Sequence, residues 1–194
     1  GSAYGAYKYR PAHRAAMIGE AVEGMILRDL NLAQRALGSA LALDPASRAL
    51  ASRKAHIMIM GRRWDDALRE INRLKPPLSL FETVMKSWSL MGLERREEAI
   101  ALIDALPGDL QRNPSVAAVR AEYAVGQNRP DLVADHVVTA AQSHLVVARV
   151  RPLFLYLARH EQWNAIVRAD NPIVPFNEFA PALVAVQAGI ETGD

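Results

Sequence analysis

The chain has 194 residues, 51% of them hydrophobic, and its 23 Lys and Arg against 21 Asp and Glu give a formal net charge of +2. That length suits one domain or a short repeat array able to bury a core without covalent staples. The absence of cysteine excludes disulfides, thiolate nucleophiles and Cys-based zinc or iron–sulfur sites, and the interspersed charges leave no basic block of the kind that supports non-specific nucleic-acid binding.

Gly1-Ser2 stands where a Met would and reads as a cloning remnant, so residues 1–11 are expected to be a lead-in. Beyond it, strand signals are scarce, while Ala, Leu, Arg and Glu dominate at helical spacing. Asp44-Pro45, Pro76-Pro77, Pro107-Gly108, Asn113-Pro114 and Asn171-Pro172 punctuate the chain. Most of the stretches between suit two helices and a short turn rather than one helix. No apolar run reaches the roughly 18 residues of a membrane-spanning helix.

Taken in order, RDLNLAQRAL (28–37), RRWDDALREI (62–71), ERREEAIALI (94–103), NRPDLVADHV (128–137) and EQWNAIVRAD (161–170) share one pattern. Each opens on a polar turn, continues with a small or β-branched residue, and places an apolar one four further on. The anchors Ala33, Ala67, Ala99, Val133 and Ile166 are spaced by 34, 32, 34 and 33 residues. A near-constant period of this length signals stacked helix pairs, each unable to bury its apolar surface alone. Within GRRWDDALREINRLKPP (61–77), Gly61 is expected to end a helix and Arg62-Arg63 to cross a turn. Trp64 covers the joint and Ala67 permits close packing; Trp163 recurs at the matching turn of the fifth segment.

The pattern resembles the tetratricopeptide repeat, a helix–turn–helix unit with small residues where its two helices cross. Ala33, Leu37, Ala40, Leu41, Leu43, Asp44 and Pro45 carry the resemblance in the first unit. Ala55, Gly61, Trp64 and Ala67 carry it in the second, and Ser87, Leu90 and Ala99, closed by Ala105-Leu106-Pro107, in the third. Ala121, Ala124 and the Arg129-Pro130-Asp131 turn carry it in the fourth; the fifth departs, with Phe154 where a small residue is expected. The resemblance implies an all-α fold, an α-α superhelix (solenoid) of four to five degenerate helix pairs over residues 12–172. Residues 173–194 are expected to add a C-terminal capping helix and tail, with Phe179, Leu183, Val186 and Ile190 covering the open end.

Catalytic signatures are missing. No HExxH, GxSxG, P-loop or GxGxxG occurs, and His136 and His144, eight apart on one expected helix, stand too far apart to share a metal. Asp65-Asp66 and Glu97-Glu98 fall at expected helix starts, where negative charge complements the dipole. Arg62-Arg63 and Arg95-Arg96 lie in the adjoining turns and read as locally paired. No catalytic residue, metal or cofactor is therefore expected.

In the family that this chain resembles, the first helix of each pair lines the inner face. One column there reads Met25, Ile59, Met91, Val125, Ala158, and the column a turn earlier Val22, His56, Trp88, Glu122, Leu155. Phe81, Val84, Trp88 and Met91 share one helical face. Met25, His56, Ile59, Met60, Phe81, Val84, Trp88 and Met91 are thus candidates for an apolar groove that accepts a partner peptide or helix. Two other readings stand beside it: the stripe is core, or it pairs with itself in a homo-oligomer. If the groove is real, Trp88→Ala leaves helical content intact and weakens partner capture.

The resulting expectation is a non-catalytic protein–protein interaction scaffold or adaptor. The alternatives are an accessory repeat domain of a larger enzyme or secretion or assembly protein and, further off, an RNA-binding helical repeat. The Ala-rich, Arg-over-Lys usage is compatible with a bacterial source, and a cysteine-free chain with cytoplasm or periplasm alike. No Lys, Asn and Arg set of the kind that clamps acidic chaperone tails recurs in these columns.

Overall fold

A computed structural model describes residues 10–26, 28–142 and 147–169. The described residues are all-α: ten helices and one 3-10 turn, with no strand among them. They run α1 (Pro11–Ile26), α2 (Leu30–Leu43), α3 (Arg48–Met60), α4 (Trp64–Asn72), α5 (Leu80–Gly92), α6 (Arg96–Asp104), the 3-10 turn Gly108–Arg112, α7 (Pro114–Gly126), α8 (Pro130–Ala140), α9 (Val147–Arg159) and α10 (Trp163–Ala169). The capping helix expected within 173–194, and His144, fall outside the described residues. The helix that carries His136, α8, ends at Ala140.

Two compact units divide the chain, Gly1–Leu93 and Glu94–Asp194. The division falls in the turn expected inside the third helix pair, where the sequence reading had one uninterrupted array. In the first unit, α1 packs on α2, α3 on α4, and the first helices touch one another, α1 on α3 and α3 on α5. The second unit repeats the scheme, with α7 on α8, α9 on α10 and α7 on α9. The anchors Ala33, Ala67, Ala99, Val133 and Ile166 are all closed to solvent, as a residue at a helix crossing must be for the backbones to approach.

Helix starts follow two rules. Ser47, Ser79 and Asn113 cap α3, α5 and α7 with side-chain oxygens that accept from Leu50, Glu82 and Ser115 backbone N–H groups. At α4, α6 and α8 the N-cap is Arg63, Arg95 or Arg129, without a side-chain cap bond. There the acidic residues of the first turn meet the dipole and also bind the capping arginine. Arg63 reaches Asp66 at 2.7 Å, Arg95 reaches Glu98 at 2.7 Å, and Arg129 reaches Asp131 at 2.7 Å. The carboxylate pairs at 65–66 and 97–98 are thus helix-start chemistry.

The residue before each of these three caps, and Glu161 two residues before α10, is left-handed: Arg62, Glu94, Asn128 and Glu161 have φ of 59°, 59°, 54° and 59°. At three of these turns the following N–H reaches back five residues, Arg63 to Met58 at 2.8 Å, Arg129 to Ala124 at 3.0 Å and Gln162 to Leu157 at 2.9 Å, closing the first helix. Only Asn128 among the four belongs to the residue types that enter this region readily. Replacing exposed Glu161 by Gly should therefore raise stability by about 0.5–1 kcal/mol, and Glu161→Val should lower it. Thermal melts followed by circular dichroism check both signs.

Trp64, the first residue of α4, packs against the end of α5. A Cβ added at Gly92, the last residue of α5, would stand inside the contact radii of Trp64 Cγ, Cδ2 and Cε2. The indole therefore fills the space above the end of the next first helix. The matching residue of the second unit, Gly126, is approached instead by the Arg96 guanidinium. Gly92→Ala should destabilise by about 1–3 kcal/mol, since a packed ring must shift. Gly126→Ala should be neutral or stabilising, because a flexible arginine can move and Ala favours helix. Urea unfolding of the two variants side by side checks the contrast.

Candidate functional site

The face singled out from the sequence lies in the first unit and is built from α1, α3 and α5. Helical spacing brings His56 of α3 and Phe81 and Trp88 of α5 into one ladder. The His56 and Phe81 rings meet edge-on at 5.3 Å and 84°, and Phe81 meets Trp88 at 6.1 Å and 86°, the T-shaped geometry favoured by ring quadrupoles.

This ladder is not an open groove. Trp88 and Val84 are 0% exposed, Ile59 1%, Met91 5% and His56 6%. Phe81 is half-buried, and Met25 and Met60 are half-buried side chains packed against the core around Val22, Leu50 and Ile57. Helix α5 even encloses Ser87 and Ser89, whose hydroxyls donate back to the Thr83 and Met85 carbonyls. The second apolar side of this helix, which suggested a docking surface, is filled. Five of the eight candidate residues are core side chains as the chain stands.

Polar residues that the sequence reading passed over sit beside the ladder. Glu23 of α1 approaches Arg53 Nε at 3.5 Å and His56 Nδ1 at 3.6 Å, ionic contacts longer than good hydrogen bonds. The His56 imidazole, with help from Arg53, holds the Glu23 carboxyl below the usual carboxylate range against the upward push of burial. A carboxylate held ionised in this way is a weak proton donor near neutrality. Its role is to join α1 to α3.

No protein-family model, curated protein or solved structure matches this chain. Its chemistry is read from its own residues.

The strongest polar cluster is structural. Glu82, 4% exposed, accepts from Arg48 Nε at 3.1 Å and Nη2 at 2.8 Å, from Ser52 Oγ at 3.1 Å and from the Ser79 backbone at 2.9 Å. Arg48 also donates to the Lys75 and Pro77 carbonyls, tying the loop between α4 and α5 to the start of α3. Ser79-Leu80-Phe81-Glu82 is a capping box readable from sequence. The Arg48 partner, 34 residues upstream, is not.

In the second unit the column continues with Glu122 and Leu155. Glu122 of α7 meets Arg149 of α9 at 2.6 Å; burial raises its pKa, and the Arg149 charge and hydrogen bond work against that rise. Leu155 is 41% exposed. The same register that is closed and aromatic in the first unit thus becomes ionic and then open in the second. Among the described residues no three His, Asp or Glu side chains converge as a metal-binding group.

Proposed function

We propose that the chain is a non-catalytic protein–protein interaction scaffold, built of tetratricopeptide-like helix pairs. The observation that carries the reading is the turn at 62, 94, 128 and 161, where a left-handed residue is followed five positions later by a fully buried crossing residue. One local geometry at a near-constant interval is what stacked helix pairs require. The packing of first helix on first helix within each unit supports it as well.

Chemistry supports the same reading. The carboxylates of the helix starts are neutralised by neighbouring arginines, and Glu82 is consumed by the Arg48 pin. Groups engaged in this way hold helices together; they are not poised nucleophiles or bases. A helical scaffold acts through its surface, so function lies in what it binds.

Affinity capture from the native cell, followed by calorimetry with the purified candidate, tests the proposal. The expected result is a polypeptide that binds the isolated chain at a defined stoichiometry. Retention of RNA alone, with steep salt dependence, would contradict it in favour of nucleic-acid binding.

A further inference from the structure

Between α7 and α8 of the second unit, at the end bordered by the 3-10 turn, lies a cleft of about 550 Å³. Gln111, Arg112, Arg120, His136, Thr139 and Gln142 supply its polar lining, and no carboxylate is among the lining residues. Beside its two arginines, Arg112 and Arg120, the cleft offers the Gln142 amide, the Thr139 hydroxyl and the His136 imidazole as hydrogen-bond donors.

One of the two cations is fixed in place. Arg120 donates to Gln111 Oε1 at 2.5 Å and to Asp104 at 3.0 Å, with its side chain 25% exposed. Gln111 is itself tied down, donating to the Ile103 and Leu106 carbonyls at 2.9 and 3.0 Å. The other cation, Arg112, is exposed and has no ion-pair partner among the described residues. With Arg120 fixed by Asp104 and Gln111, the exposed Arg112 lining the same cleft is the cation open to an incoming carboxylate.

Burial and the Arg120 charge depress the pKa of His136, and the opposing pull of Asp135 is weaker. Asp104 and Glu97 border the adjoining cleft of about 360 Å³, which shares Arg120 and His136. Asp104, which Arg120 already engages, and Glu97 thus line the neighbouring cleft and not this one.

We infer that this cleft docks an acidic peptide segment, a Glu or Asp carboxylate entering between Arg112 and Arg120 with Thr139, Gln142 and His136 at hand as further donors. The inference rests on the scaffold reading and adds the chemistry of the partner. It places recognition on the second unit and not on the ladder singled out from the sequence.

A labelled oligoglutamate peptide, followed by fluorescence anisotropy on the full chain, tests it. Arg112→Gln is the informative variant, because Arg120 also holds Asp104 and Gln111. Arg35→Gln, on the exposed side of α2, carries the same charge change elsewhere. Wild type and Arg35→Gln should bind within about twofold of each other, and Arg112→Gln about tenfold more weakly. Equal weakening by both variants would mean diffuse attraction and overturn the site, as would the absence of binding at about 0.15 M salt. Inorganic phosphate binding as tightly as the peptide would overturn it in favour of a simple anion site. A polypeptide captured from the cell whose affinity ignores Arg112→Gln would sink the cleft and leave the scaffold reading standing. Capture of no polypeptide would remove the scaffold reading itself.

Discussion

Trp88→Ala is expected to lower unfolding stability by about 3–5 kcal/mol, among the largest effects of any single truncation here. The indole is closed to solvent and stands edge-on to Phe81, which in turn stands edge-on to His56. Removing it leaves a void in α5, a helix whose Val84, Met85 and Ser87 side chains are themselves closed to solvent. The loss should appear as a lower urea midpoint with an unchanged slope, followed by circular dichroism. A variant that kept wild-type stability would restore the groove in which Trp88 reaches out to a partner. Trp88→Phe, which retains most of the apolar volume, should recover much of the loss.

The Arg48–Glu82 pin gives the second large effect, and it depends on pH. Burial pushes the Glu82 carboxyl up, but Arg48, the Ser79 backbone and hydroxyl, and Ser52 outweigh it and bring the pKa from 4.5 to about 2. A carboxyl whose folded pKa lies below its unfolded value stabilises the fold fully above the unfolded value. That contribution drains away as pH falls from about 4.5 towards 2. It amounts to something on the order of 3 kcal/mol. Glu82→Gln should therefore cost on the order of 2 kcal/mol at pH 7, since Gln can still close the capping box but cannot pair with Arg48. The gap between wild type and variant should shrink as pH is lowered through that window. Urea midpoints at several pH values read it directly, and a gap constant with pH would mean that Glu82 acts only through neutral hydrogen bonds.

Much of the helical framework was legible because a helix crossing leaves a local mark. Ala33, Ala67, Ala99, Val133 and Ile166 announced where helices approach, and each is buried as that role demands. Helix starts were legible for a similar reason: Asp65-Asp66 and Glu97-Glu98 sit in first turns, where the dipole rewards them.

What escaped the sequence is what depends on distant residues. Periodicity showed that α5 carries apolar side chains on two sides, but not whether the second side meets protein or water. Trp88 therefore read equally well as groove or core. Arg48 and Glu82 meet across 34 residues, a pairing that neither helix pattern reveals. The left-handed turn residues escaped too, because Arg62, Glu94 and Glu161 carry none of the usual signals for that conformation. The clustered lining of the cleft was hidden because Arg112, Arg120 and Thr139 come from three elements.

The ladder of the first unit is closed core. Fluorine NMR of the intact chain labelled with 5-fluorotryptophan, with a soluble paramagnetic agent added, tests it most directly. Trp64 and Trp163 are half-buried and should broaden, while the Trp88 resonance keeps its width. Broadening of Trp88 equal to that of the other two would contradict a closed ladder and reopen the groove.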